Sequence, residues 1–540
     1  MSLHRSSALP VRYLRALGKS LCFLGATSLI ACGGGGGGSS SNSQNFTPDP
    51  VGDTDTGWQQ GVFLPAETFA NRCDMPRTGI DPFSGEAYAD VKGTTLDENM
   101  WMRSWSNDLY LWYDEIEDQD PDGFTTEDYF DTLKTNQLTM SGTPKDQFHF
   151  LVPTDEWIAQ SQSGVSVGYG LEWALLSSLP PREALVAYTA KADAVGLPPR
   201  GARILEIDGY SIDVTSEVGV DALNAGLFPS SEGEQHTFLF EYPDGQLQEM
   251  TLTANPVVSD PVQNVKVVDG AMGRKVGYML FNDHIATAEL ALVNGVSELS
   301  AQNIDELVLD LRYNGGGYLA IASQLSYMIA GETATAGRIF ELLQFNDKHP
   351  ETNPVTGEPL LPNPFYDETL GFSAAPGQPL PTLDLNRVFV LTGPNTCSAS
   401  EAIINGLRGI DVEVIQIGAT TCGKPFGFYP TDNCGTTYFS IQFQGVNDKG
   451  FGEYADGFTP LGSGQAGVEV TGCQVADDWN NPLGDVNESR FAAALNYINT
   501  GSCDAPATSM GVVRSASADM LLLEGIVPKP VWRQSRIYVR

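Results

Sequence analysis

Basic residues are scarce in this chain. Lys and Arg number 30 against 67 Asp and Glu, a net charge of −37. So acidic a polypeptide repels phosphate backbones, which excludes nucleic acid as a partner and reads as a solvated acidic surface that favours solubility. No two cysteines stand at C-x-x-C spacing, so no zinc site is expected. Past the N-terminus no segment is long and apolar enough to span a bilayer. No Gly-x-Ser-x-Gly elbow surrounds any serine considered below, which argues against a hydrolase of non-peptide acyl groups. Asp477, Asp478 and Asp485 do not follow the EF-hand pattern and read as surface acids. Neither a metal nor another cofactor is expected.

The apolar fraction, 41% with 10% aromatics, is ample for packed cores. At roughly one domain per 150 residues, 540 residues suggest several units. Residues 1–31 read as a targeting segment. Arg5, Arg12, Arg15 and Lys19 precede a short apolar stretch that ends Leu29-Ile30-Ala31-Cys32. That ending resembles a bacterial lipoprotein signal, with cleavage before Cys32 and lipid on its thiol, and residues 32–57 form a flexible Gly/Ser leash. Gly33 after the cysteine implies the outer membrane, with the protein facing the periplasm or the surface. Cys73, Cys397, Cys422, Cys434, Cys473 and Cys503 remain for disulfides in an exported chain, and the sequence selects no pairing among them.

Residues 58–160 read as a helical domain. An amphipathic helix is predicted from Leu96 to Ile116 on the recurrence of Trp101, Trp105, Leu109 and Trp112, and a second over Thr126 to Thr135. Residues 161–257 turn to short β-branched runs between Gly and Pro: strands over Leu171–Leu175, Ala184–Thr189, Ala202–Ile207 and His236–Tyr242, with a short helix at Ala192–Leu197. Residues 258–503 alternate strands (Lys275–Leu280, Glu306–Leu311, Arg387–Leu391, Val412–Ile417) with helices (Leu319–Ile329, Ala399–Leu407), an α/β layered pattern. Residues 504–540 carry Arg514, Lys529, Arg533, Arg536 and Arg540 against Asp504, Asp519 and Glu524, a basic tail or an appended strand.

Three segments could carry chemistry. In Asp310-Leu-Arg-Tyr-Asn-Gly-Gly-Gly317 a strand runs into glycines that let the backbone approach a ligand and aim N–H groups at it. A phosphate loop is the rival, but no Gly-Lys-Ser/Thr follows. In Thr396-Cys-Ser-Ala-Ser-Glu401 a helix opens at Ser398. A capping box accounts for Ser398 and Glu401 without any chemistry, yet a serine at a helix start is also well placed as a nucleophile beside oxyanion-stabilising N–H groups. In Thr420-Thr-Cys-Gly-Lys424 the lysine reads as an ordinary surface residue unless buried. Burial lowers a lysine's pKa and lets the neutral amine deprotonate a serine.

Taken in that order, Asp310-Leu-Arg-Tyr-Asn-Gly-Gly-Gly, Ser398-Ala-Ser-Glu and Gly423-Lys424 resemble the C-terminal processing peptidases, or tail-specific proteases, over about half the chain. The resemblance implies a crotonase-like α/β catalytic core with a PDZ-like β-rich domain and a helical N-terminal domain. It implies Ser398 as nucleophile and Lys424 as base. It assigns the oxyanion hole to the N–H groups of Gly316 (or Gly315) and Ala399. Tyr169, Gly170 and Leu171 stand where a PDZ domain has its carboxylate-binding loop, beside an edge that adds a peptide strand. The implied activity is serine endopeptidase cleavage of unfolded or C-terminal segments of exported proteins through an acyl-enzyme. The sequence departs from the pattern at Phe428, where a glutamine usually supports the lysine, and at Ala202 in the PDZ-like segment. Those departures motivate the alternative, a non-catalytic periplasmic peptide-binding or scaffold lipoprotein. A related group pairs serine with a histidine before the PDZ segment, which makes His149 a second candidate base.

Overall fold

The computed structural model describes residues 57–82, 84–163, 165–503 and 536–537. Cys32 and the segments around it lie outside the described residues. No helix among the described residues is long and apolar enough to cross a membrane.

Helix α1 (Thr95–Leu109) starts at a reciprocal cap. The Asp97 N–H donates to Thr94 Oγ1 at 3.2 Å and the Thr94 N–H donates to Asp97 Oδ2 at 2.9 Å. Its buried face carries Trp101, Trp105 and Leu109, and the two indoles stack at 5.3 Å. The helix predicted to reach Ile116 stops at Leu109. Tyr110 turns out into extended backbone to bury its hydroxyl on Asp146, at 2.7 Å, and the Leu111 N–H leaves for Ile441 O. Trp112 therefore lies beyond the helix. Helix α2 (Thr126–Thr132) also ends early, and the Thr135 N–H donates instead to the Tyr110 hydroxyl at 3.1 Å. Strand β1 (Phe150–Pro153) follows.

Strands β2 (Leu171–Ser177), β3 (Glu183–Thr189) and β4 (Arg203–Ile207), helix α3 (Glu217–Leu227), and strands β5 (Gln235–Glu241) and β6 (Leu247–Thr253) come next. The strands form an antiparallel sheet in the order β6-β5-β4-β3-β2, with β2 at an edge. Leu223 and Leu227 of α3 share its core with Trp173, Phe238 and Phe240. The helix expected over Ala192–Leu197 is absent. Asp260 captures the Ala192 N–H and the Lys191 ammonium, and Gly196 takes a positive φ of 75°, so the segment is a turn.

The α/β core then runs β7 (Val262–Asp269), β8 (Lys275–Phe281), α4 (Ala288–Ala301), β9 (Glu306–Asp310), β10 (Gly317–Tyr318), α5 (Leu319–Thr335), β11 (Arg387–Thr392), α6 (Ala399–Gly409) and β12 (Glu413–Gly418). After these come β13 (Phe426–Gly427), β14 (Thr436–Phe439), β15 (Phe443–Val446), β16 (Gly472–Gln474), α7 (Ser489–Thr500) and β17 (Arg536–Ile537). The central sheet has the order β7-β8-β9-β11-β12-β16, parallel from β8 onward. Met279 and Phe281 face the cluster that holds α4, α5 and α6, whereas Tyr278 and Leu280 face the one that holds α7. Helices on both faces explain why β9 and β11 read as unbroken apolar runs. The same topology sets the carboxyl ends of β9, β11 and β12 side by side, where an open parallel sheet holds its ligands. The three chemistry-bearing segments are the loops that leave those three ends.

Candidate active site

The turn after β9 is stitched to the one after β11. The Leu311 N–H donates to Leu391 O at 3.0 Å and Thr396 Oγ1 donates to Leu311 O at 2.9 Å. Asn314 O accepts from the Cys397 N–H at 3.1 Å and from Ser400 Oγ at 3.0 Å. Gly316 has a φ of +108°, and a Cβ placed on it would lie 2.9 Å from Ser398 Cβ and 3.0 Å from Ala399 N. Only glycine lets the two turns approach this closely. The Gly316 N–H is turned to Asn314 Oδ1 at 3.0 Å, so the donor that the resemblance assigned to an oxyanion is engaged inside its own turn.

Ser398 adopts φ 58° and ψ −112° immediately before α6. A non-glycine residue in this region costs of order 1–3 kcal/mol and persists where neighbouring contacts impose it. Here they are the Asn314 carbonyl on one side and Glu401 on the other. The Ser398 N–H donates to Glu401 Oε2 at 2.9 Å, the half of a capping box the sequence suggested. The same carboxylate reaches further. Oε2 also accepts the Lys424 N–H at 2.8 Å, and Oε1 accepts the Gly423 N–H at 2.8 Å and the Thr421 hydroxyl at 2.5 Å. Burial pushes the Glu401 carboxyl above its usual value, opposed by the hydroxyl and N–H groups that favour the ionised form. A disulfide between Cys397 and Cys422 bolts the two loops together beside this carboxylate.

Lys424 is wholly buried, as is Ser398. Lys424 Nζ lies 4.3 Å from the Phe148 ring centroid and 4.8 Å from that of Phe428. The residue that stands where a glutamine was expected thus supplies an aromatic face to the amine. Among the described residues, both groups of Cys and Glu side chains close enough to suggest a metal site (Cys73, Glu98, Cys434 and Cys397, Glu401, Cys422) have their thiols joined as disulfides.

The sequence model of peptidase family S41 matches residues 275–428, from the start of β8 to just past Lys424. That segment, which includes the glycine turn, Ser398 and Lys424, is similar to peptidase family S41. It is 25% identical over 266 residues to a carboxyl-terminal-processing protease of Picosynechococcus sp. (strain ATCC 27264 / PCC 7002 / PR-6), a match that covers 49% of this chain and 56% of that protein's length. The crystal structure of a candidate S41 protease from Bacteroides fragilis NCTC 9343 shares the fold, with a TM-score of 0.55 at 22% identity over 77% of this chain and 99% of that one.

Beyond the S41 segment the other sequence-selected residues fall elsewhere. The His149 ring stacks on Phe130 at 3.8 Å and its Nε2 is 2.9 Å from Phe130 O, while burial holds its pKa down. Its neighbour Phe148 is the residue that faces Lys424. Tyr169 is a core residue of the β2–β6 sheet: its hydroxyl donates to Gly226 O at 2.9 Å and its ring meets Phe238. Gly170 takes a φ of 75° and its carbonyl accepts the Ala190 N–H at 3.0 Å, while Leu171 opens the edge strand β2. Any peptide contact from this loop would come from backbone. Cys473 pairs with Cys503, and Cys73 with Cys434.

Asp477 corrects the reading of surface acids. Its side chain has no solvent exposure and pairs with Arg312 at 2.7 Å and Arg200 at 2.8 Å. Burial alone would raise its pKa, but the Arg200, Arg312 and Arg490 guanidiniums hold it well below the usual carboxylate range. Arg312 is shared with Asp310 and Glu488, both buried, so this cluster fixes the base of the glycine turn.

Two further residues brace the candidate site, Asn314 without an assigned role in the motif above and His284 outside all three motifs. Asn314 braces the turn through both its carbonyl and its side chain. Buried His284 brackets the turn from β8: its N–H donates to Gly316 O at 3.0 Å, its carbonyl accepts the Tyr318 N–H at 2.8 Å, and its Nδ1 is 3.0 Å from Asn314 Oδ1. The signal for His284 was the polar run Asn282-Asp283-His284 at the end of a buried strand.

Proposed function

We propose that this protein is a serine endopeptidase that hydrolyses peptide bonds in unfolded or C-terminal segments of exported proteins. Ser398 Oγ attacks the scissile carbonyl carbon as Lys424 Nζ takes the hydroxyl proton. The tetrahedral oxyanion forms at the start of α6, where the Ala399 N–H stabilises it, joined by the Gly316 N–H once that donor leaves Asn314 Oδ1. The C–N bond breaks as Lys424 returns the proton to the leaving amine, and water then hydrolyses the acyl-enzyme by the reverse relay. Lipid on Cys32 would hold the enzyme at the cell envelope, and the β2 edge would offer a docking strand for substrate.

The observation that carries this reading is Glu401, whose one carboxylate oxygen accepts the N–H of both Ser398 and Lys424. A helix cap alone has no need of the second bond. The test is labelling with a fluorophosphonate probe alongside cleavage of an unstructured protein such as casein. Labelling at Ser398 and loss of cleavage in Ser398→Ala and Lys424→Ala are expected. Full activity in Lys424→Ala would overturn the dyad, and no labelling under any condition would favour the peptide-binding scaffold.

A further inference from the structure

The short strand β10, which leaves the glycine turn of this site, is already paired on both sides. β17 pairs in parallel with β10, Gly317 opposite Arg536 and Tyr318 opposite Ile537. The other side of β10 is taken by His284, which bridges Gly317. Gly317 directly follows Gly316, the residue in contact with Ser398 and Ala399. β17 also lies against β13, which begins two positions after Lys424. The strand therefore runs between the turn that abuts the nucleophile and the segment that leaves the base.

Resting on the peptidase reading above, we infer that β10 is where an extended substrate adds as a strand beside Ser398, and that β17 (Arg536–Ile537) is an intramolecular occupant of that position, which a polypeptide substrate must displace. An extended peptide recognised by strand addition bonds to the free backbone groups of a sheet edge. Two strands cannot share one edge, so occupancy and substrate binding exclude each other. Ser398 and Lys424 have no solvent exposure in this arrangement, as a closed site requires. Tethering keeps the occupant at a high effective concentration without a tight intrinsic contact. The segment's excess of arginine and lysine on a chain of net charge −37 adds attraction that salt screens.

The experiment uses the full chain with Arg536→Pro/Ile537→Pro, which removes the strand's N–H donors, and Ile537→Pro alone as the milder variant. A fluorescein-labelled peptide of residues 528–540 is titrated into each on the Ser398→Ala background. The proline variants are expected to bind it on the order of tenfold more tightly than the parent, because their own strand has left. With Ser398 present, their KM for casein should fall with kcat unchanged, and the unlabelled peptide should inhibit them competitively. Equal peptide affinity in parent and variants with an unchanged KM would overturn the inference while leaving the peptidase reading intact. A gain in peptide affinity without cleavage by any form would overturn the peptidase reading and keep the occupancy.

Discussion

Ser398 and Lys424 donate their backbone N–H groups to the same oxygen of Glu401, at 2.9 and 2.8 Å. The relative position of their loops is thus set through one buried carboxylate at the third position of α6, and through the Cys397–Cys422 disulfide beside it. A side chain that positions both residues of the proposed dyad without touching substrate has effects that separate from those of the residues themselves.

Glu401→Ala should leave substrate binding nearly intact and lower kcat by about a hundredfold, the scale of a misplacement near 1 Å. Fluorophosphonate labelling of Ser398 should slow in parallel. Steady-state kinetics and labelling rates measured on one preparation check this, and an unchanged kcat would remove Glu401 from a positioning role.

Gly316→Ala should damage the same site from the other side. The added methyl would meet Ser398 Cβ at 2.9 Å with the backbone at φ +108°. A loss of about 1–3 kcal/mol in unfolding free energy is expected, with a larger fall in kcat than in thermal stability. Casein cleavage and differential scanning calorimetry together test it.

Breaking the Cys397–Cys422 bridge in a Cys397→Ser/Cys422→Ser variant releases a loop of sequence separation 25. By loop-closure entropy this should cost about 3 kcal/mol, read from urea unfolding. The double variant should also become indifferent to reductants that act at this bridge.

Asp477→Asn should cost about 3 kcal/mol at neutral pH by leaving Arg200 and Arg312 short of a buried partner. The native carboxyl is held below its ordinary 3.8. Its stabilisation is therefore fully present above that value and is lost as pH falls below it toward the depressed folded-state value. The gap between wild type and Asp477→Asn should narrow in acid, as denaturation curves at neutral pH and at about pH 3 would show.

How much of this the sequence disclosed follows from what kind of contact each residue makes. Ser398, Gly316 and Lys424 stood out because each lies in a loop that leaves a buried parallel strand, and strand–loop order is a linear property. Glu401 read as a local cap because its N–H partner at Ser398 is local, whereas those at Gly423 and Lys424 come from another strand end. Phe148 comes from the N-terminal part of the chain, so nothing near Lys424 announced it. Asp477 read as exposed because a buried carboxylate is recognisable only once Arg312 and Arg200 are known to surround it. The end of α1 at Leu109 rather than Ile116 was set by Tyr110 reaching Asp146, a tertiary bond that overrode helical periodicity.

The Cys73–Cys434 disulfide spans a sequence separation of 361. A single cut anywhere between those cysteines leaves two fragments that remain one covalent body. A protein exposed to its own or neighbouring peptidases could thus be nicked in a surface loop and still migrate intact on a gel without reductant. Only reduction would reveal the break.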